Sequence, residues 1–60
     1  PLRDAVARLP LELRAVVVLR YFSGYTLAET AEILSLPAGT VSTRQRKALA
    51  LLRLELCEEV

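Results

Sequence analysis

The chain has 60 residues, a formal net charge of +1 and a single cysteine, and 53% of its residues are hydrophobic. A chain of this length forms one domain and buries only about 60% of the surface that its unfolded form exposes. One cysteine excludes an internal disulfide, the lack of histidine argues against a metal site, and no apolar run approaches the roughly 18 residues of a membrane span. We therefore expect no metal or other cofactor, no membrane insertion and a cytoplasmic location.

The first part of the chain predicts two helices separated by a proline. Residues 1–8 form the first, and Pro10 ends it because the residue before a proline avoids the α region. Residues 11–22 form the second helix. Its centre is so apolar that the pattern also fits a strand, but its polar first turn and its helical neighbours favour a helix. We expect Val16 and Leu19 to face the core.

The end of this second helix carries a glycine and all the aromatic residues of the chain. Gly24 can adopt the left-handed conformation that commonly ends a helix. We expect the aromatic side chains to pack in the core: Tyr21, Phe22 and Tyr25. Two basic residues of the same helix, Arg14 and Arg20, are expected to be solvated, with a phosphate contact as the alternative.

Residues 26–47 predict a helix, a tight turn and a second helix. Thr26 starts the first of these, because a threonine followed three residues later by Glu29 forms a capping box. This helix covers residues 27–34. Pro37 suits the start of the next helix, where its missing N–H would have no partner in any case.

The helix after the turn is predicted to extend to about Glu58, and its first half is polar and basic. From Gly39 to Arg53 it contains no acidic residue and four basic ones, which are Arg44, Arg46, Lys47 and Arg53. The positive charge of the chain is therefore local. A polar helix with a small tip and basic residues is typical of one that enters the major groove of DNA. The alternative is a helical hairpin that only looks similar.

Four candidate base-reading residues share one face of this helix, at positions i, i+1, i+4 and i+5: Ser42, Thr43, Arg46 and Lys47. Hydroxyl groups can contact base edges, and arginine or lysine can bind O6 and N7 of guanine. The same four side chains would also suit the solvated face of an ordinary helix.

Two further residues are candidate phosphate contacts. Thr40 lies near a helix N-terminus, which favours an anion, although a role in helix capping fits it almost equally well. Arg44 could bind a phosphate, or its stem could pack on the core with its charge directed to solvent. No nucleophile, histidine or glycine-rich phosphate loop accompanies the acidic residues, so we expect no enzymatic activity.

The second half of the last helix is apolar nearly all round. Val41, Gln45, Ala48 and Leu52 form one stripe, which should face the body of the domain. The remaining leucines cannot all join that stripe: Leu49, Leu51, Leu54 and Leu56. Exposed apolar area of this kind usually marks a surface for a partner protein.

Taken together, these motifs resemble region 4 of bacterial sigma-70 family factors, in particular the extracytoplasmic-function group. The shared features are an LP start, a VLRYF-x-G-x-[ST] stretch, an AEIL helix, LP-x-GTV and a basic helix that ends in ALxxLR. They cover residues 9–53. The resemblance implies an all-α, four-helix domain that contains a helix-turn-helix, of the winged-helix-like DNA-binding class without a wing. Residues 1–60 would then be this one domain, as a C-terminal fragment of a longer chain.

The resemblance also implies partners and roles. The domain would bind the minus-35 element of duplex promoter DNA, dock on the β flap of core RNA polymerase and be covered by an anti-sigma factor. The base-reading sites of the family fall on Ser42, Thr43, Arg46 and Lys47, and its phosphate sites on Thr40 and Arg44. The leucines at the end of the last helix, together with the apolar second helix, would meet the flap or the anti-sigma factor.

This chain departs from the family pattern at three positions. Ser35 replaces a frequent glycine at a turn where a left-handed residue is usual, which should cost stability. Ser42 stands where a basic residue is common, and this removes a charge from the reading face. Gln45 stands where leucine is common, and this should weaken the packing under the helix.

Two other functions are compatible with the same sequence. The DNA-binding output domain of a LuxR-type response regulator also carries GTV before a basic helix, but it needs a further helix for dimerisation. A helical protein-interaction module, with the leucine-rich end as its functional surface, is the alternative from another class. DNA binding measured at low and moderate salt would distinguish that module from both DNA-binding readings.

Overall fold

The computed structural model describes the backbone of residues 2–58 and the side chains of residues 3–54. The described part of the chain consists of four helices: α1 (Leu2–Ala7), α2 (Leu11–Val17, continued by a π-helical turn over Val18–Phe22), α3 (Leu27–Leu34) and α4 (Ala38–Glu58). The predicted all-helical fold and its four helices are confirmed. The π-helical turn is a feature that the sequence did not predict.

The core has two parts, and α4 contributes to both. The larger part joins α1, α2 and the second half of α4: Ala5, Val6, Leu9, Leu13, Val17, Ala48 and Leu52. The smaller part joins α2, α3 and the first half of α4: Val16, Ala31 and Val41, with Leu27, Leu34 and Leu36 packed against them. Burial of these side chains is the main force that holds α4 in place.

The π-helical turn at the end of α2 corrects the expectation for the aromatic residues. The Ser23 N–H donates to the Val18 carbonyl across five residues, and Gly24 follows with a φ of 80°. The aromatic side chains lie in this turn or just after it, and they are 39–48% exposed: Tyr21, Phe22 and Tyr25. Aliphatic side chains fill both parts of the described core, so the predicted core role of the aromatics is wrong. Leu19, predicted to face inward, is half-buried.

The turn of the helix-turn-helix has the backbone that the sequence predicted. Ser35 is left-handed, with φ 57° and ψ 43°, and no other non-glycine residue of the described chain has a positive φ. The Leu36 N–H donates to the Ala31 carbonyl and the Ser35 N–H to the Glu32 carbonyl, which is the Schellman arrangement. Because Leu36 also packs on the core, this turn fixes the direction in which α4 leaves.

Ser35→Gly should stabilise the domain. Serine in the left-handed region costs about 1–2 kcal/mol, which exceeds the roughly 0.5–1 kcal/mol of extra chain entropy that glycine loses on folding. We expect the melting temperature to rise by a few degrees. Ser23→Gly is the matched control, because Ser23 has a φ of −91° and can gain nothing from glycine. A lower melting temperature for Ser35→Gly would contradict the left-handed assignment.

The predicted capping box starts α3. The Glu29 N–H donates to the Thr26 hydroxyl at 3.1 Å, and the Thr26 N–H donates to the Glu29 carboxylate at 2.9 Å. The second bond, made to the ionised form, lowers the pKa of the Glu29 carboxyl below its ordinary value. The cap therefore links the stability of α3 to pH.

Glu29→Gln should remove this pH dependence. A carboxyl with a lowered pKa stabilises the fold above its unfolded pKa, about 4.3 for glutamate, and the contribution disappears as the pH falls through the folded value. As the pH is lowered from above the unfolded pKa to below the folded pKa, the free energy of unfolding of the wild type should fall more than that of Glu29→Gln. Urea denaturation at a series of pH values measures the difference. Parallel pH profiles would show that the carboxylate does not cap the helix in solution.

Candidate nucleic-acid interface

The polar face of α4 points outward because the opposite face is anchored. Val41 and Ala48 are fully buried, two turns apart on the same side of the helix. Thr43, Arg46 and Lys47 are exposed in consequence. The packing of α4 thus presents its basic segment to solvent along a helix long enough to lie in a DNA groove.

An open cleft of about 420 Å³ separates the start of α2 from the first half of α4. Its lining consists of Glu12, Leu13, Gly39, Thr40, Thr43, Arg44 and Lys47. Four of the six predicted DNA-contacting residues are therefore brought together here. Ser42, which is half-buried, and Arg46 are outside the lining. The sequence placed all the base-reading residues on one face and did not predict this division.

The Thr43 hydroxyl is already engaged as a donor. It donates to the Gly39 carbonyl one turn earlier, at 3.0 Å. A hydroxyl has one hydrogen and two lone pairs, so in this rotamer Thr43 can only accept a further hydrogen bond. At a base edge, its partner would be an amino group of cytosine or adenine.

Arg20 corrects a further expectation, since it is not simply solvated. Its Nε donates to the Gln45 side-chain oxygen at 2.8 Å, and Nη1 donates to the Tyr25 carbonyl at 2.8 Å. Its guanidinium lies 5.6 Å from the centre of the Tyr21 ring. The signal in the sequence was Gln45 itself, a polar residue on the core-facing stripe of α4 that needed a partner.

The leucine-rich end of α4 is exposed where the structure describes it. Leu49, Leu51 and Leu54 are 37%, 43% and 62% exposed, whereas Leu52 is buried. The fourth leucine of the predicted partner surface, Leu56, lies outside the described side chains. The prediction that the leucines outside the buried stripe remain partly exposed is confirmed for Leu49, Leu51 and Leu54.

No helix in the described part of the chain is long and apolar enough to cross a membrane.

Helix α3, the Schellman turn and α4, with its outward basic face, form a helix-turn-helix of the DNA-binding class. The chain matches the family described as Sigma-70, region 4 over residues 5–54, and it belongs to that family. The predicted resemblance is thereby confirmed, and the family match favours it over the LuxR-type alternative.

Its relatives include sigma factors of three bacteria. The chain is 38% identical over 58 residues to the RNA polymerase sigma factor SigV of Bacillus subtilis, covering 97% of the chain and 35% of that protein. It is 46% identical over 55 residues to the RNA polymerase sigma-E factor of Streptomyces antibioticus, covering 92% and 31%. It is 46% identical over 46 residues to the ECF sigma factor SigM of Mycobacterium tuberculosis, covering 77% and 24%. The chain thus spans at most about a third of the length of these relatives.

Proposed function

We propose that this domain recognises the minus-35 element of promoter DNA as region 4 of an extracytoplasmic-function sigma factor, without catalysing a reaction. The observation that carries the proposal is the outward face of α4. Buried Val41 and Ala48 seat the helix on the core, and the exposed basic segment lies opposite to them. A helix held against the core in this way can enter the major groove.

The proposed roles divide the polar residues of α4 into phosphate contacts and base contacts. Thr40 and Arg44 contact phosphates, because Thr40 lies in the first turn of the helix, where N–H groups favour an anion, and Arg44 adds a positive charge one turn later. Four residues read base edges, the half-buried Ser42 and the exposed Thr43, Arg46 and Lys47. Phosphate contacts fix the register of the helix, and base contacts supply the sequence preference.

We further propose that core RNA polymerase, through its β flap, and an anti-sigma factor bind the leucine-rich end of α4 in the cytoplasm. Three of its leucines are more than a third exposed, on a helix whose buried side is already complete. The exposed aromatic residues at the end of α2 offer a second apolar surface for the same partners: Tyr21, Phe22 and Tyr25. The leucine-rich surface begins at Leu49, close to Lys47, so an anti-sigma factor bound to it would hinder the binding of DNA to the neighbouring reading face.

The salt dependence of DNA binding tests the proposal. If the three positive charges of Arg44, Arg46 and Lys47 displace three counterions when α4 enters the groove, whether each faces a phosphate or a base edge, the slope in a plot of log affinity against log salt concentration is roughly −3. Fluorescence anisotropy with a duplex at low and moderate salt measures it. A slope near zero, or no binding at low salt, would favour the protein-interaction module.

A further inference from the structure

The side chains of Arg20 and Gln45 form a hydrogen bond between distant segments of the chain. It spans 25 residues, and it joins the end of α2 to the middle of α4. Gln45 lies between two fully buried residues of the same stripe, Val41 and Ala48, and it is half-buried itself. An amide in this position is costly without a hydrogen-bond partner, and the Arg20 Nε supplies one.

The same guanidinium also holds the start of α3. Its Nη1 donates to the carbonyl of Tyr25, the residue before the capping threonine. The side chain of Arg20 therefore connects the end of α2, the segment before α3 and the middle of α4. It projects from the π-helical turn, and such turns are frequent at functional sites.

Hydrogen bonds and apolar contacts constrain α4 in different ways. The apolar contacts of Val41 and Ala48 are non-directional, so they hold the helix against the body while tolerating small rotations about its axis. A hydrogen bond weakens steeply as its angle departs from linear. The bond at Gln45 is therefore suited to restrain the rotation of α4, and it lies at the residue that immediately precedes Arg46.

We propose that Arg20 and Gln45 form a positioning contact that sets the angle at which α4 presents its reading face, and hence the sequence discrimination of the domain. This positioning role rests on the proposed function, because the contact acts through the base-reading residues and need not touch DNA itself. Side chains that read a ligand must be held to within about 0.5 Å and 10–20° of the productive geometry. A small rotation of α4 would move Arg46 away from its base while leaving the phosphate contacts, which are less directional, largely intact.

The test compares affinity for a preferred duplex, selected from a randomised library, with affinity for random duplex, using the complete sigma factor assembled with core RNA polymerase. Gln45→Leu removes the acceptor and introduces an apolar side chain of similar size. We expect it to reduce the ratio of the two affinities about tenfold, with the melting temperature unchanged or raised. Gln45→Glu keeps an acceptor for Arg20 and should preserve most of the discrimination.

Arg20→Lys supplies the second arm, because it keeps the charge and removes the planar group that reaches both acceptors. It should reduce discrimination as Gln45→Leu does, and the double variant should lose no more than either single one. Full discrimination by Gln45→Leu or by Arg20→Lys, or additive losses in the double variant, would overturn the positioning contact alone. Equal affinity of the wild type for both duplexes would overturn the proposed function and this role with it.

Discussion

Replacing Arg46 with alanine should reduce the affinity of the domain for its preferred promoter site by about 1–3 kcal/mol, which is the discrimination that one good bidentate contact to guanine provides. Arg46 is exposed on the outward face of α4, away from the cleft that Thr40 and Arg44 line. An arginine that reads a base contributes to affinity mainly on the preferred sequence, so its loss is felt mainly there. Affinity for random duplex should therefore fall much less, and preference at one or two base pairs should flatten.

Arg3→Ala is the control for this prediction. Arg3 is also exposed, and its replacement also removes one positive charge. It lies on α1, however, which packs against the second half of α4 through Ala48 and Leu52, beyond the segment that carries the base-reading residues. Its replacement should leave discrimination unchanged. If Arg46→Ala weakens binding to preferred and random duplex equally, in titrations at one fixed salt concentration, then Arg46 is a phosphate contact and the reading face must be reassigned.

Replacing both Leu51 and Leu54 with serine should abolish binding of the proposed partner proteins and leave DNA affinity within a few-fold of the wild type. Each exposed leucine offers apolar area worth about 25 cal/mol per Å² when a partner covers it. The two are 43% and 62% exposed, so the fold should tolerate serine at both positions. Pull-down with the β flap and with a cognate anti-sigma factor, alongside DNA titration, measures the two effects separately.

Two further variants separate loss of the partner surface from loss of the fold and from loss of DNA binding. Leu52→Ser changes the neighbouring leucine, which is buried in the larger part of the core, and it should unfold the domain. Ser42→Ala combined with Arg46→Ala should do the reverse of the leucine pair, by weakening DNA binding while partner binding persists. Unfolding of the Leu51 and Leu54 variant would mean that those side chains stabilise the core and that the partner surface lies elsewhere.

The sequence alone predicted what depends on near neighbours along the chain. The capping box needs only Thr26 and Glu29, three residues apart, and the structure contains both of its hydrogen bonds. The left-handed turn at Ser35 was implied by the family resemblance, in which this position is often glycine, and the buried stripe of α4 followed from helical periodicity. In each case the deciding interactions lie within about one to three helical turns, so a local pattern is sufficient.

The tertiary structure decided which side chains meet across the chain. The π-helical turn left Tyr21, Phe22 and Tyr25 exposed, although their hydrophobicity predicted burial. Gln45 on the core-facing stripe of α4 needed a partner, but that Arg20 would supply it was decided only when α2 and α4 packed together. The cleft beside α2 likewise divided the predicted DNA contacts into two groups. Such outcomes depend on the distances and angles between packed helices, which hydrophobic periodicity within a single helix does not encode.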